Sequence, residues 1–219
     1  MLRTYLFKIS LATWFTLWSP LLLIGLVSKK LTIKFVTADA RGVLWLARIV
    51  AGIRWKLHGT VKPGRIVASK HMSILEIAVL ETTFPNMFFI IKRELLWIPI
   101  YGWAFWRMGF IGVNRSRGAT NMKILAERVN ARIKMGQTLV IFPEGTRAKP
   151  GQGVTLRRGL LFIAEAAKIP ILPVGTDSGI YWPKRGRMQP GVANVWIEPE
   201  LPYNASLDEL AAAIALHSA

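Results

Sequence analysis

The stretch 69–76 contains the residues whose types and spacing could do chemistry. His71 lies five positions before Glu76, in the run Ser-Lys-His-Met-Ser-Ile-Leu-Glu. An imidazole beside a carboxylate can act as a general base, because the carboxylate holds the ring and stabilises the imidazolium that forms. Ser73 and Glu76 also fit the S-x-x-E capping box that starts many helices. The residues alone leave both roles of Glu76 open.

A turn has to hold His71 for the two side chains to meet. Five residues along a continuous helix rotate by about 500°, which places the side chains on different faces. We therefore expect His71 on the turn after a short buried strand at 66–68, with a helix over 74–81 starting just after it. The glutamate of a capping box bends back towards the helix N-terminus, which is also the direction of His71.

Strands and helices alternate through most of the chain. Strands are predicted at 54–58, 66–68, 87–91, 110–113, 138–142, 171–174 and 192–197. Helices are predicted at 74–81, 119–135, 159–168 and 206–216. This alternation predicts an α/β fold, with a mixed, largely parallel sheet flanked by helices.

Polar motifs follow several of the predicted strands directly. They are His71, Lys92 with Arg93, Arg115, and the run 144–147. Ligands of open α/β sheets bind beyond the carboxyl ends of the strands, so these motifs are expected to meet at one edge. A histidine, carboxylates and several cations in such a place indicate a site rather than a plain surface.

The N-terminal segment is predicted to be a hydrophobic helical membrane anchor. Residues 9–27 carry no charge over nineteen positions, which is long enough to cross a bilayer. Pro20 leaves a second interpretation open, in which the segment splits into two short helices that dip into one leaflet. Basic residues are more frequent after this segment than before it, so the positive-inside rule places the main domain on the cytoplasmic face of the cell inner membrane.

Further segments could lie at a membrane interface. Residues 35–53 show apolar positions at helical spacing, which predicts either an interfacial helix, the favoured interpretation, or a core helix. Six of the nine tryptophans lie within 95–108 or the first 45 positions, as expected of rings at a bilayer interface or, alternatively, of a broad aromatic core. We predict membrane-anchoring or interfacial helices over 1–53 and an α/β domain over 54–219.

The composition limits the classes of function. The chain has 29 basic and 12 acidic residues and a net charge of +17, which suits nucleic acid, an anionic lipid surface or a phosphorylated substrate. It has no cysteine, which excludes disulfides, thiolate catalysis and cysteine-bound metals. Only three histidines and no H-E-x-x-H pair are present, so no metal site is expected. No nucleic-acid-binding motif is found, and no nucleic-acid partner is expected.

Together these motifs make the sequence resemble a known family, the glycerolipid acyltransferases of the lysophosphatidic acid (1-acylglycerol-3-phosphate) acyltransferase type. That family carries H-x4-D, K-R/x-E followed by proline, G-F-x4-R, F-P-E-G-T-R and a late strand with proline. Here the motifs stand at 71–76, 92–94 with Pro99, 109–115, 142–147 and 171–174. The similarity covers about residues 54–200, and F-P-E-G-T-R is its most specific part. Glu76 departs from the usual aspartate.

The resemblance implies transfer of a fatty acyl group from an acyl thioester to the free hydroxyl of 1-acylglycerol-3-phosphate, giving phosphatidate without a cofactor. Acyl-CoA or acyl carrier protein would supply the acyl group. His71 would act as the general base and Glu76 would hold its other nitrogen; a covalent acyl-enzyme on Ser69 or Ser73 is an alternative. Another lysolipid acceptor, such as a lyso-ornithine lipid, is a second interpretation. A non-catalytic basic module that binds membrane or nucleic acid is a third.

The resemblance also assigns binding residues. The phosphate and glycerol parts of the lysolipid would contact Lys92, Arg115, Glu144, Gly145, Thr146 and Arg147. Glu144 would hydrogen-bond the glycerol, and Gly145 would allow a sharp turn or a close approach of the backbone. The alternative for these cations is a surface salt bridge, which is favoured more for Arg93 and Lys149 than for Arg115. The acyl chain would lie against residues 95–108 or the N-terminal segments, beside membrane lipids.

Overall fold

The structure is a computed structural model that describes residues 1–114, 122–153 and 155–217. Within these residues the strands are β1 (Ile53–His58), β2 (Ile66–Ser69), β3 (Met87–Lys92), β4 (Ile111–Val113), β5 (Thr138–Ile141), β6 (Ile171–Thr176) and β7 (Gly191–Ile197). The α-helices are α1 (Leu2–Gly25), α2 (Lys29–Ile49), α3 (Leu75–Thr83), α4 (Tyr101–Met108), α5 (Met122–Lys134), α6 (Gly159–Ala167), α7 (Ser178–Tyr181) and α8 (Leu207–Ala215). A 3₁₀ helix, Arg93–Trp97, follows β3.

The described strands form a seven-stranded sheet in the order β1-β7-β6-β2-β5-β3-β4. Neighbouring strands are parallel except at the β6–β7 pair, which confirms the predicted mixed, largely parallel sheet. The carboxyl ends of β2, β3, β4, β5 and β6 therefore share one edge of the sheet. The carboxyl ends of β1 and β7 lie at the opposite edge.

The central strand β2 lies in the middle of the hydrophobic core. Ile66, Val67 and Ala68 are fully buried, as expected of a parallel strand that is covered on both faces. A rigid, buried strand that ends at Ser69 gives the following residues a fixed starting point. The predicted position of His71, between this strand and a helix, is confirmed.

Helix α1 passes through Pro20 without interruption, so the alternative interpretation, a split into two short helices, is wrong. Proline removes the N–H that would bond the carbonyl four residues earlier. Here that carbonyl belongs to Thr16, and the Ser19 hydroxyl donates to it at 3.0 Å. The neighbouring side chain thus replaces the missing donor, and the helix continues. Among the described residues, α1 alone is long and apolar enough to cross a membrane by length and composition.

Helix α2 begins at Lys29, earlier than predicted, because Ser28 caps it by accepting from the backbone N–H of Leu31 at 3.2 Å. Its buried face packs against α1, α3, α4 and β1, as a core helix would. The indole of Trp14 donates to the Asp39 carboxylate at 2.7 Å and lies so close to α2 that only glycine fits at Gly42. The two N-terminal helices are therefore tied to each other and to the sheet-containing part of the chain.

Candidate active site

The His71 side chain is held on the turn between β2 and α3. Its Nδ1 lies 2.8 Å from Oε1 of Glu76, and its ring stacks on Phe142 with the centroids 4.1 Å apart. Because a carboxylate oxygen accepts hydrogen bonds, this contact assigns the hydrogen to Nδ1 and leaves the lone pair of Nε2 as the acceptor. The side chain keeps 15% of its surface exposed, so a substrate can reach it.

The carboxylate of Glu76 is fully buried and accepts four hydrogen bonds. Oε1 accepts from His71 Nδ1 and from the backbone N–H groups of Met72 and Ser73, at 2.8–2.9 Å. Oε2 accepts from the hydroxyl of Ser178 at 2.6 Å. A buried carboxylate is stable only when such donors surround it. Glu76 thus contacts the imidazole and the helix start at once, and the two roles coexist.

The predicted capping box forms only in part. The glutamate bends back to the N–H of Ser73 as predicted, but the Ser73 hydroxyl accepts from the N–H of Leu75 at 3.1 Å. The register differs because α3 begins at Leu75, after Ile74. The extra methylene of glutamate has a use in this arrangement. It allows a side chain rooted in the first turn of the helix to reach the turn before it, where His71 lies.

The loop after β5 is hydrogen-bonded to both backbone groups of His71. The His71 N–H donates to Oε2 of Glu144 at 2.8 Å, and the N–H of Ala148 donates to the His71 carbonyl at 2.7 Å. Glu144 was predicted to bond the glycerol of a substrate. One of its oxygens accepts from the backbone of His71, and the contact with glycerol stays a prediction. Burial raises the pKa of the Glu144 carboxyl, and the hydrogen bond from His71 opposes that rise.

Two further residues shape this loop. Gly145 has a φ of +71°, which confirms the sharp turn predicted for it, and a Cβ there would come 3.1 Å from the Arg157 guanidinium. Lys70, which the sequence analysis missed, is 2% exposed and lies directly before His71. Burial lowers the pKa of its ammonium, and the charge of Glu144 opposes that change. A buried cation and a half-buried carboxylate therefore lie beside His71.

The predicted phosphate-binding residues that the structure describes lie at the same edge of the sheet. Arg147 is half-buried and Thr146 exposed in the loop that returns to His71 at Ala148. Lys92 is exposed at the end of β3, two strands from β2 and therefore about 10 Å away at about 4.8 Å per strand. Arg115 lies outside the described residues. Within the part of the chain that the structure describes, Arg93 and Lys149 form no salt bridge.

Comparison with known proteins shows the family to which this chain belongs. Residues 54–177, more than half of the chain, match the family model of the acyltransferases. The chain belongs to the acyltransferase family. The matched segment begins in β1 and ends just after β6, so it contains His71, Glu76 and the loop of Glu144. The resemblance inferred from the motifs is confirmed.

Relatives with curated names extend the similarity along the chain. This acyltransferase is 35% identical over 208 residues to the 1-acyl-sn-glycerol-3-phosphate acyltransferase of Pseudomonas aeruginosa, covering 91% of this chain and 80% of that protein. It is 29% identical over 163 residues to 1-acyl-sn-glycerol-3-phosphate acyltransferase alpha of Homo sapiens, covering 73% of this chain and 58% of that protein.

A solved structure shares the fold of this acyltransferase. The crystal structure of the 1-acyl-sn-glycerophosphate (LPA) acyltransferase, PlsC, from Thermotoga maritima matches 98% of this chain and 92% of that chain. The TM-score is 0.75 at 21% sequence identity. The match includes the N-terminal helices as well as the sheet, because so little of either chain is left out.

Ser178 is, after Lys70, a second residue of this acyltransferase site that the motifs did not reveal. It begins α7 directly after β6, and β7 holds this segment through Asp177, which accepts from the N–H of Asn194 at 2.6 Å. Gly179 packs so closely on Met72 that a Cβ there would lie 2.9 Å from it. One signal could have found Ser178: a short polar residue that follows a buried strand at the edge where His71 lies.

Replacing Ser178 by alanine is expected to lower kcat about 3- to 10-fold, because Oε2 of Glu76 loses its donor at 2.6 Å and the carboxylate can rotate away from His71. The matched control is Ser69→Ala, since the buried Ser69 hydroxyl donates to the Lys70 carbonyl and not to Glu76. Steady-state kinetics and thermal unfolding of both variants check this. Equal losses of kcat in the two variants would show that Ser178 does not help to position His71.

The acyl-enzyme alternative finds no geometric support at the two serines considered for it. The Ser69 hydroxyl donates to the Lys70 carbonyl at 3.0 Å, and the Ser73 hydroxyl accepts from Leu75. Neither hydrogen bond involves the imidazole of His71 that would activate a serine. Within the described residues there is also no group of three or more histidine, aspartate or glutamate side chains that could hold a metal ion.

Proposed function

We propose that this acyltransferase moves a fatty acyl group from an acyl thioester to the free hydroxyl of 1-acylglycerol-3-phosphate, giving phosphatidate. The names of the relatives from Pseudomonas aeruginosa and Homo sapiens support this acceptor. The observation that carries the proposal is the pair of His71 and the buried Glu76, 2.8 Å apart at the edge where five parallel strands end. A base at such an edge can act on a bound hydroxyl.

His71 is the general base in this proposal. Its Nε2 takes the proton of the acceptor hydroxyl as the oxygen attacks the thioester carbonyl. The new carbon–oxygen bond forms, the carbon–sulfur bond breaks, and the imidazolium returns the proton to the leaving thiolate. The Glu76 carboxylate, with all its other contacts in place, stabilises the imidazolium between these steps. No covalent intermediate on the enzyme is required.

Cations around the strand ends bind the acceptor phosphate in this proposal. Arg147 follows Glu144 in the loop that is bonded to His71, and Lys92 ends β3 two strands away. A guanidinium and an ammonium at the edge of the sheet that carries His71 suit the binding of a phosphate beside the base. Arg115, with Thr146 and Gly145, completes the set that we assign to the phosphate and glycerol.

Helix α1 anchors the acyltransferase in the cell inner membrane, with the catalytic domain on the cytoplasmic face. Most of its side chains face outward, and only 11% of its most apolar window is buried. The net charge of +17 favours the anionic surface of a cytoplasmic leaflet. The acyl donor, acyl-CoA or acyl carrier protein, then arrives from the cytoplasm and the lysolipid from the bilayer.

The test is an acyl-transfer assay of the purified protein against a panel of lysolipids with each donor. The acceptors are 1-acylglycerol-3-phosphate, lysophosphatidylethanolamine and a lyso-ornithine lipid; the donors are acyl-CoA and acyl carrier protein. We expect the highest kcat/KM for 1-acylglycerol-3-phosphate, because only its phosphate is a terminal dianion that several cations can share. A higher kcat/KM for either of the other acceptors would overturn the proposed substrate. The proposed acyl-transfer chemistry would still hold.

A further inference from the structure

A groove of about 600 Å³ lies between the end of α1, the 3₁₀ helix and α4. It is lined by Leu26, Arg93, Leu96, Trp97, Trp103, Trp106 and Arg107. Its lining contains none of the residues to which we assign catalysis or the binding of phosphate and glycerol, although it includes part of the segment 95–108 that was considered for the acyl chain. Its walls combine two guanidinium groups with three indole rings, which is an unusual lining for a plain solvent-exposed groove.

The three indoles of the groove face outward. Trp97 is 74% exposed, Trp103 50% and Trp106 67%. The broad aromatic core considered for residues 95–108 is therefore wrong for these three rings. Exposed tryptophans in a cluster are typical of a protein surface that contacts lipid headgroups, where the ring is half apolar and its N–H is polar.

The two arginines of the groove have no carboxylate partner in a salt bridge within the described residues. Arg107 is oriented by a hydrogen bond from Nη2 to the carbonyl of Val27, 3.0 Å away, in the turn after α1. Arg93 is exposed at the start of the 3₁₀ helix. Glu94 is the one acidic residue in the 3₁₀ helix, and it is absent from the lining of the groove.

More positive charge surrounds the same turn. Burial and the charge of Arg132 lower the pKa of Lys29, the first residue of α2. The Arg132 guanidinium lies against Gly109, at the end of the helix that carries Arg107. Like charges gathered without carboxylates are destabilising, and an anionic ligand would relieve their repulsion.

We propose that this groove binds the headgroup of an anionic phospholipid of the bilayer, with the phosphate between Arg93 and Arg107 and the glycerol against the indoles. The site is distinct from the acyl-transfer site and does not depend on its chemistry. It would hold a resident lipid of the membrane rather than the acceptor.

The surroundings of the groove favour a lipid over other anions. The neighbouring end of α1 exposes apolar side chains, with Ile24 54% exposed and Val27 76% exposed. Leu26, from the same turn, lines the groove itself. A ligand that satisfies both features carries a negative charge next to hydrocarbon, as a phospholipid does. Inorganic phosphate or a nucleic acid would leave the apolar surface in water.

The experiment measures quenching of tryptophan fluorescence in the full-length protein in a nonionic detergent. Phosphatidylglycerol or phosphatidylcholine with brominated chains is added, and the half-quenching concentrations are compared. We expect the anionic lipid to quench at a roughly 25-fold lower concentration, because each of the two cations near an anionic headgroup raises affinity roughly fivefold. This preference should weaken as sodium chloride is raised.

The decisive variant is Arg93→Gln combined with Arg107→Gln, which should bring the two half-quenching concentrations together. The matched control is Arg54→Gln with Lys56→Gln, an equal loss of charge at exposed positions of β1, on the far side of the sheet. It should keep the preference for the anionic lipid. The same preference in both double variants would overturn the proposal. Displacement of the lipid by inorganic phosphate at matched ionic strength would also overturn it, in favour of an ion site.

Discussion

Replacement of His71 by alanine is expected to lower kcat for acyl transfer by about 10²–10⁴-fold, the usual contribution of a positioned general base. The KM for the lysolipid should change little, because Nε2 takes its proton only as the new bond forms. The fold should persist, since β2 and α3 are held by buried contacts that do not involve the imidazole. Steady-state kinetics, circular dichroism and membrane fractionation of the variant check the three expectations.

The chain offers a close control for this variant. His217 also has Nδ1 at 2.8 Å from Oε1 of a glutamate, Glu198, so the pair has the same geometry as that of His71. Glu198 follows β7, whose carboxyl end lies at the opposite edge of the sheet. His217→Ala should therefore retain nearly full kcat. A kcat of the His71 variant within about threefold of the wild-type value would show that His71 is not the general base, since a general base raises the rate by far more than that.

The position of His71 was predictable because several local signals agree. An apolar run of strand length, a turn and a helix-like run specify a parallel strand followed by its crossover helix. In a parallel sheet this places every such turn at one edge, and Glu144 meets His71 there although 73 positions separate them. Neither the hydrogen bond between them nor its direction follows from that reasoning.

What could not be predicted depends on packing between distant segments. Ser178 bonds Glu76 across 102 positions; its place after a buried strand indicates the edge at which it lies, but not its contact with Glu76. The burial of Lys70 depends on the loop that folds over it. Pro20 ordinarily interrupts a helix, and here Ser19 compensates within the same turn. Such compensation depends on a rotamer that periodicity does not specify.

Glu76→Gln is expected to lower kcat by about 10²–10⁴-fold with a small change in the KM for the lysolipid. The amide keeps the size of the side chain, and its oxygen can still accept from the N–H groups of Met72 and Ser73. The negative charge beside the imidazolium is lost, however. In an acid–histidine pair, loss of that charge lowers kcat by several orders of magnitude. A large loss of kcat with a melting temperature close to that of the wild type is the expected result.

Glu81→Gln is the matched control, since it makes the same change near the end of the same helix. Burial and the charge of Asp39 raise the pKa of Glu81 to about 8, so its carboxyl is mostly protonated at pH 7 and an amide resembles it. This variant should keep its kcat. If Glu76→Gln instead lowered the melting temperature while kcat stayed near the wild-type value, the only role of Glu76 would be to stabilise the N-terminus of α3. The imidazole would then need another partner to stabilise its charged form, and no other carboxylate contacts the ring within the described residues.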